Sequence, residues 1–296
     1  MPGGPSIGCW LLADALGLEE VRRALAEDRA GEDVTTRLLG AVAHAPATAR
    51  FVAEARFVVA GLPIAALIFH ELDPRACLES HAAEGDWTAP DACFATLQAS
   101  GRAVLAGERV ALNFLQRLSG VATFTRRAVD AVAGTPAKIT HTRKTTPGLR
   151  VLEQYAVRVG GGIDNRASLA DAVLWKDNHW ALLDTRPGAL TEALQGVPAG
   201  VAVVVEVESD EQLDAALAAG VTHVLADNQS PARIRRWAGR AGAGITIQAS
   251  GGITPETARA YAEAGATLIS IGALTHSAPA VAMRCDVTVD TQRHAL

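Results

Sequence analysis

Only three of the 27 basic residues in this 296-residue chain are lysines, and all three, Lys138, Lys144 and Lys176, fall in one short stretch. A compact, rotatable ammonium differs from a planar guanidinium wherever geometry or pKa matters. Lys144 and Lys176 are therefore candidates for a chemical role, while Lys138 reads as an incidental surface residue. The window from Lys138 to Lys176 holds seven basic residues (with Arg143, Arg150, Arg158 and Arg166) and three acidic ones (Glu153, Asp164, Asp171). That window is +4, which leaves −9 for the remainder of a chain whose net charge is −5. Such a cluster favours a substrate with several anionic groups, because bidentate pairing of guanidinium with carboxylate or phosphate is the strong form of that contact.

Further along, two carboxylates, Glu206 and Asp227, each close an apolar run. Such a pair suits a hard cation such as Mg²⁺, which prefers oxygen ligands and brings phosphates with it. Two glycine-bearing turns, ASGGI (249–253) and IGALTHS (271–277), lead into helix starts, where backbone N–H groups are presented to a phosphate. Ser250, Gly251, Gly252, Gly272 and His276 are the candidate phosphate contacts. Together these features describe a phosphorylated substrate, a metal and a second polyanion. Each also has a plainer reading: SGGI as a structural turn, Glu206 or Asp227 as half of a buried ion pair, His276 as an ordinary helix-start histidine. His44, His70, His81, His223 and His294 read as ordinary. GGG at 160–162 has the wrong spacing for a dinucleotide fingerprint. Cys9, Cys77, Cys93 and Cys285 form no CxxC pair, so neither a zinc site nor a redox dithiol is indicated.

The elements that must position these residues can be read from the apolar pattern. AKITH (137–141), AVLWK (172–176), VAVVVE (201–206), THVLA (222–226), GITIQ (244–248) and TLISI (267–271) read as buried strands. Between the last four lie helices with clear signals: Ser209 with Gln212 as a capping box, Ser230 before Pro231, Thr254 before Pro255, and stops at Gly220 and Gly265. Strand, helix, strand at this spacing implies parallel strands with right-handed crossovers. Each run ends in a chemically capable residue, and only a closed barrel brings all those ends onto one face. The fold class is therefore α/β, with an incomplete parallel, TIM-like barrel as catalytic domain over 113–276. Residues 1–112 are expected to form an N-terminal α/β sandwich, completed by a tail, 277–296, whose DVTVD alternates like an edge strand. A long helix is expected from near Gly107.

Length alone allows two domains or one large barrel. The longest uncharged apolar run, Phe57 to Phe69, is too short to span a bilayer. The first twenty residues lack a basic leader and meet Asp14, Glu19 and Glu20, so they do not read as a secretory signal, and a cytoplasmic location is expected. Net negative charge argues against a general affinity for nucleic acid.

THTRKTTPGLR (140–150), EQYAVRVGGG (153–162), LADAVLWKDNH (169–179), VEVES (205–209), LADN (225–228), QASGGI (248–253), IGALTHS (271–277) and GERVALNFLQRLSGVAT (107–123) together resemble the quinolinate phosphoribosyltransferases. The likeness runs from about Glu32 to Ser277, and TRKTTPGLR with KDNH is its most specific part. It implies phosphoribosyl transfer from phosphoribosyl pyrophosphate to quinolinate with decarboxylation, giving nicotinate mononucleotide, pyrophosphate and CO₂, in NAD biosynthesis. It implies Mg²⁺, and a head-to-tail homodimer in which Arg109 serves the neighbouring site, with a hexamer as a further possible assembly. By the same resemblance Arg143, Lys144, Arg166 and Lys176 hold the two ring carboxylates, with Asn165 and His179 in the same segments. Glu206 and Asp227 correspond to the acidic residues around metal and ribose, and Ser250, Gly251, Gly252, Gly272 and His276 to the 5′-phosphate cradle. The catalytic set is Lys144, Lys176, Glu206 and Asp227.

The chain departs from the family pattern in a few places. Asp164, Asn165 and Arg166 stand where Asn-His-Arg is common, Gln248 stands where the family has Glu, and Gln229 follows Asp227 and Asn228 where Phe is common. Losing that imidazole and that carboxylate is either neutral drift or a change in which pyridine carboxylate is accepted. Rival readings are a paralogue of the same fold that acts on a different pyridine carboxylate or is associated with molybdate transport, from which KDNH argues away, and a barrel lyase with Lys144 or Lys176 as a Schiff base. A third is a polyanion-binding protein without turnover.

Overall fold

The computed structural model describes residues 16–183 and 186–289. The leader reading of residues 1–15, Cys9, His294 and the last seven residues of the tail lie outside the described residues. In chain order the elements are α1 (Leu18–Glu27), α2 (Val34–Arg37), β1 (Pro46–Ala53), α3 (Leu62–Leu72), β2 (Cys77–Ser80), β3 (Cys93–Ser100) and α4 (Gly101–Ala131). There follow β4 (Lys138–Thr140), α5 (Arg150–Val159), β5 (Ala172–Trp175), α6 (Asp177–Leu182), α7 (Ala189–Leu194), β6 (Ala202–Val207) and α8 (Asp210–Ala218). The last are β7 (His223–Asp227), α9 (Pro231–Ala241), β8 (Thr246–Ser250), α10 (Pro255–Glu263), β9 (Leu268–Ser270), α11 (Ala273–His276) and β10 (Met283–Val289). The described residues form two compact units, one of 16–124, 146–160 and 278–289, the other of 125–145, 161–183 and 186–277. The division falls inside α4, and α5 belongs with the first unit.

The first unit is built on an antiparallel sheet of order β10-β1-β3-β2. It carries Phe51 and Phe94, whose ring centroids are 6.3 Å apart; Phe51 meets Phe69 of α3 at 6.0 Å and Phe94 meets Phe57 at 5.7 Å. The tail returns as the alternating pattern of its residues requires: β10 pairs with β1 from Ala47↔Val289 to Ala53↔Met283. α4 begins at Gly101, earlier than the expected start near Gly107. Ser100 Oγ accepts from Ala103 N at the strand end, and Arg102 to Ala106 are mostly strong helix formers. Gly107 lies inside the helix, and a Cβ there would sit 2.7 Å from the Phe69 ring, so the close approach of α3 calls for glycine.

The second unit is a six-stranded parallel sheet of order β4-β9-β8-β7-β6-β5. The first strand joins the last and the rest follow consecutively, which is the order of a barrel opened along one seam, between β4 and β5. At that seam Thr140 and Ile163 form an isolated parallel bridge. An open doubly wound sheet would reverse its order at an internal switch point. The helix starts behave as their residues dictate: Ser209 Oγ accepts from Gln212 N and Ser230 Oγ from Arg233 N. Thr257 Oγ1 accepts from Thr254 N. Gln212 departs from a reciprocal box, since its amide oxygen accepts from Glu208 N rather than from the cap itself. Because all six strands are parallel, their C-terminal ends lie on one face of the unit. Among the described residues no helix is long and apolar enough to cross a membrane.

Candidate active site

On that face the β4 end supplies Arg143 and Lys144. Residues 141 to 149 form neither helix nor strand, so individual bonds set their course. Lys144 N donates to Thr142 Oγ1, Thr145 N to Arg143 O, and Thr275 Oγ1 donates to Lys144 O at 2.8 Å. Gly272 lies against this strand end, since a Cβ there would be 3.1 Å from His276 Nε2 and 3.3 Å from Lys144 Cδ. Lys144, Gly272 and His276 are therefore brought together, with His276 Nδ1 bonded to Ser277 Oγ. Lys138, by contrast, is exposed at the other end of β4.

Asn165 is turned back onto the same strand end: its side-chain amide donates to His141 O and its backbone N–H to His141 Nε2. His141 is fully buried. Asn165 Oδ1 accepts from Arg166 N, and Arg166 is anchored through Nη1 on Ala172 O. Burial and, next, the charge of Arg143 pull the Arg166 guanidinium below its ordinary pKa, against smaller opposing effects of Asp171 and Glu206. Two guanidiniums close enough to repel are a place where an anion is bound favourably.

Lys176 follows β5, and its Nζ lies 3.3 Å from Glu206 Oε2 on β6. His179 is exposed and uses Nδ1 to accept from Lys176 N, so the ring orients the lysine's backbone. Trp180 Nε1 donates to Glu206 O. The Glu206 carboxyl is raised above its usual pKa, first by burial; Lys176 opposes this and Asp227 adds to it. Asp227 closes β7 opposite Ser250 of β8. Its Oδ2 accepts from Asn228 Nδ2, while Asn228 N donates to Ser250 O. The turn after β8 needs its glycines, with φ of +94° at Gly251 and +59° at Gly252.

Below these turns Gln248 is buried between two neighbours: its Oε1 is 2.6 Å from His223 Nε2 and its amide donates to Ser270 Oγ. Burial lowers the His223 pKa, so a neutral amide faces a neutral imidazole. Arg109 is in the first unit, exposed on α4. Thr275 and Asn228 were not singled out from the sequence, although both lie in quoted motifs. Two successive polar residues after an apolar strand, Asp227 and Asn228, were the available signal for the second.

One face of the second unit thus carries four cations, Arg143, Lys144, Arg166 and Lys176, two glycine-bearing turns and two carboxylates, groups suited to anions and to a developing cation. Residues 33–119 match the quinolinate phosphoribosyl transferase N-terminal domain and 121–286 its C-terminal domain. The chain is 40% identical over 270 residues to a carboxylating nicotinate-nucleotide pyrophosphorylase of Mycobacterium leprae, covering 88% of this chain and 93% of that one. It is 34% identical over 296 residues to a decarboxylating quinolinate phosphoribosyltransferase of Nicotiana glauca, covering 92% and 82%. Its structure resembles that of NadC from Streptococcus pyogenes with a TM-score of 0.88 at 34% identity, over 95% of this chain and 99% of the other.

Proposed function

The chain belongs to the quinolinate phosphoribosyltransferase family and is a carboxylating nicotinate-nucleotide pyrophosphorylase of NAD biosynthesis, and on that premise we propose how its residues divide the work. Quinolinate is held through its two carboxylates by Arg143, Lys144, Arg166 and Lys176, with Asn165 shaping the wall and His179 orienting Lys176. What supports this is the setting of Arg166, which burial first and then the neighbouring charge of Arg143 hold below its ordinary pKa, on the face that also carries Lys144 and Lys176. The 5′-phosphate of phosphoribosyl pyrophosphate rests on Ser250, Gly251, Gly252, Gly272 and His276.

The pyridine nitrogen attacks ribose C1 as the bond from C1 to the diphosphate oxygen breaks. Glu206 and Asp227 stabilise the positive charge that develops at C1, an electrostatic role rather than a nucleophilic one. The ring nitrogen is now cationic, so the bond from C2 to its carboxylate breaks with the electron pair left beside that charge. CO₂ departs and C2 takes up a proton. Lys144 and Lys176 keep the carboxylates oriented and away from water through both steps.

Glu206 and Asp227, two oxygen donors on adjacent strands, are a set that fits Mg²⁺, which is commonly held by one or two carboxylates plus substrate phosphates. When bound, the ion would neutralise charge on the departing diphosphate. The same reading includes a cytoplasmic homodimer, with hexamers as a further assembly, in which Arg109 of one copy serves the site of the other.

The test is release of pyrophosphate and CO₂ by purified protein given phosphoribosyl pyrophosphate, Mg²⁺ and quinolinate, with nicotinate for comparison. Turnover is expected with quinolinate alone and is lost in Lys144→Ala. Quinolinate binding without pyrophosphate release would instead make the protein a polyanion binder.

A further inference from the structure

Glu153 is a carboxylate with no exposed surface, and none of the chemistry above uses it. Its two oxygens take four hydrogen bonds. Oε1 accepts from Arg117 Nε at 3.0 Å, Arg117 Nη2 at 2.6 Å and Thr146 Oγ1 at 2.7 Å; Oε2 accepts from Thr146 N at 2.9 Å. Arg117 is itself fixed, since Nη1 donates to Ala278 O at 2.8 Å. Three directions of one planar fork are thus committed, which a lysine cannot reproduce. A buried ion pair is weak evidence for stability, because desolvation offsets much of the attraction. Its value here is geometric.

Thr146 stands two residues after Lys144, in the stretch without helix or strand. On the other side of Thr145, the Lys144 carbonyl is held by Thr275 Oγ1. The residues on either side of Thr145 are thus each anchored by a side chain. Beyond Thr146 the turn is tied further by Leu149 N to Thr146 O and by Arg23 Nη2 to Gly148 O. We propose that Glu153, gripped by Arg117, is a positioning residue that fixes the segment carrying Arg143 and Lys144 through Thr146. This rests on the reading of that segment as the quinolinate wall. Neither residue touches substrate; both act through Thr146, held by its hydroxyl and its backbone N–H.

The experiment compares Glu153→Gln, Thr146→Val and Thr146→Ser by KM for each substrate and by Tm, with direct quinolinate binding by Lys144→Ala as the control. Thr146→Val keeps the ion pair and removes only the hydroxyl donor, so it carries the test if Glu153→Gln fails to fold. Glu153→Gln and Thr146→Val are expected to raise KM for quinolinate by about tenfold or more, the scale expected of a sub-ångström displacement of a binding group, with KM for phosphoribosyl pyrophosphate little changed. Thr146→Ser, which retains the donor, is expected to stay close to the parent. If Glu153→Gln and Thr146→Val lower Tm yet leave KM for quinolinate as it was, the pair is a fold element and the proposal is overturned. If Lys144→Ala binds quinolinate as tightly as the parent in a direct binding measurement, the reading of the segment as the quinolinate wall fails, whatever the other variants do.

Discussion

Lys176 Nζ lies 3.3 Å from Glu206 Oε2 across two neighbouring strands, so the cation we propose as a substrate contact also bears on the ionisation of a carboxylate. Burial raises the Glu206 carboxyl and Lys176 is the largest influence acting to lower it. Lys176→Met removes that influence while keeping the stem. The Glu206 pKa then rises further, and the acid limb of the kcat/KM profile for phosphoribosyl pyrophosphate moves to higher pH. An unmoved limb in the variant would separate Lys176 from the ionisation of Glu206.

The same raised carboxyl makes a stability prediction of definite sign. A carboxyl whose folded pKa exceeds its unfolded value of 4.5 stabilises the fold only while protonated. That contribution is complete below about pH 4.5 and is lost as pH rises through the folded value. At neutral pH the ionised group is therefore a net cost. Glu206→Gln should be more stable than the parent at pH 7, with the difference closing as pH falls below 4.5, even though the variant loses turnover. Urea unfolding at pH 7 and pH 4 measures this directly; a variant less stable at pH 7 would show that its bonds outweigh its desolvation.

The parallel strands and the polar residue at the end of each were legible from the amino-acid pattern, because β-branched runs bounded by glycine encode both the strand and its stop. The cyclic order of those strands was inferred only from the need for their ends to meet, and register now accounts for it. What could not be read depends on distant packing. Gly107 looks like a helix start until the Phe69 ring is placed 2.7 Å from its missing Cβ. Glu153 sits in a helix of ordinary amphipathic pattern, and nothing local says that Arg117 and Thr146 converge on its carboxylate. Gln248 was noted only as a departure from a family pattern, and its two partners come from two other strands.

Those partners predict the effect of restoring a carboxylate. His223 is held below its ordinary 6.5 by burial, so the parent loses stability as pH falls and the unfolded chain takes up the proton. Gln248→Glu puts an anion on His223 Nε2 and raises the folded pKa above the unfolded one. The stability then gained is full below pH 6.5 and is lost as pH rises through the new folded value. The Tm of Gln248→Glu relative to the parent should thus increase from pH 8 to pH 5, and the His223 ring should titrate higher by NMR. Gln248→Leu leaves both neighbours without this partner and should cost roughly 1–3 kcal/mol for each. A pH-independent difference for Gln248→Glu would rule out the pairing.

Gly251 and Gly252 separate a structural turn from a phosphate cradle. A Cβ at Gly251, φ +94°, would lie 2.2 Å from Asn228 Oδ1 and 2.7 Å from Asn228 N, whereas a Cβ at Gly252, φ +59°, meets nothing within 4 Å. Gly251→Ala must therefore displace Asn228, which orients Asp227, and should lose stability and affinity for phosphoribosyl pyrophosphate together. Gly252→Ala carries only the left-handed penalty of roughly 1–2 kcal/mol. Its methyl, however, enters the open side of the turn, where a bound 5′-phosphate would approach the backbone. The expected outcome is a modest fall in Tm with KM for phosphoribosyl pyrophosphate raised by about tenfold or more, about 1.4 kcal/mol of lost binding. If Gly252→Ala leaves that KM unchanged while Gly251→Ala raises it, the turn serves only to place Asn228 and Asp227, and the phosphate rests elsewhere.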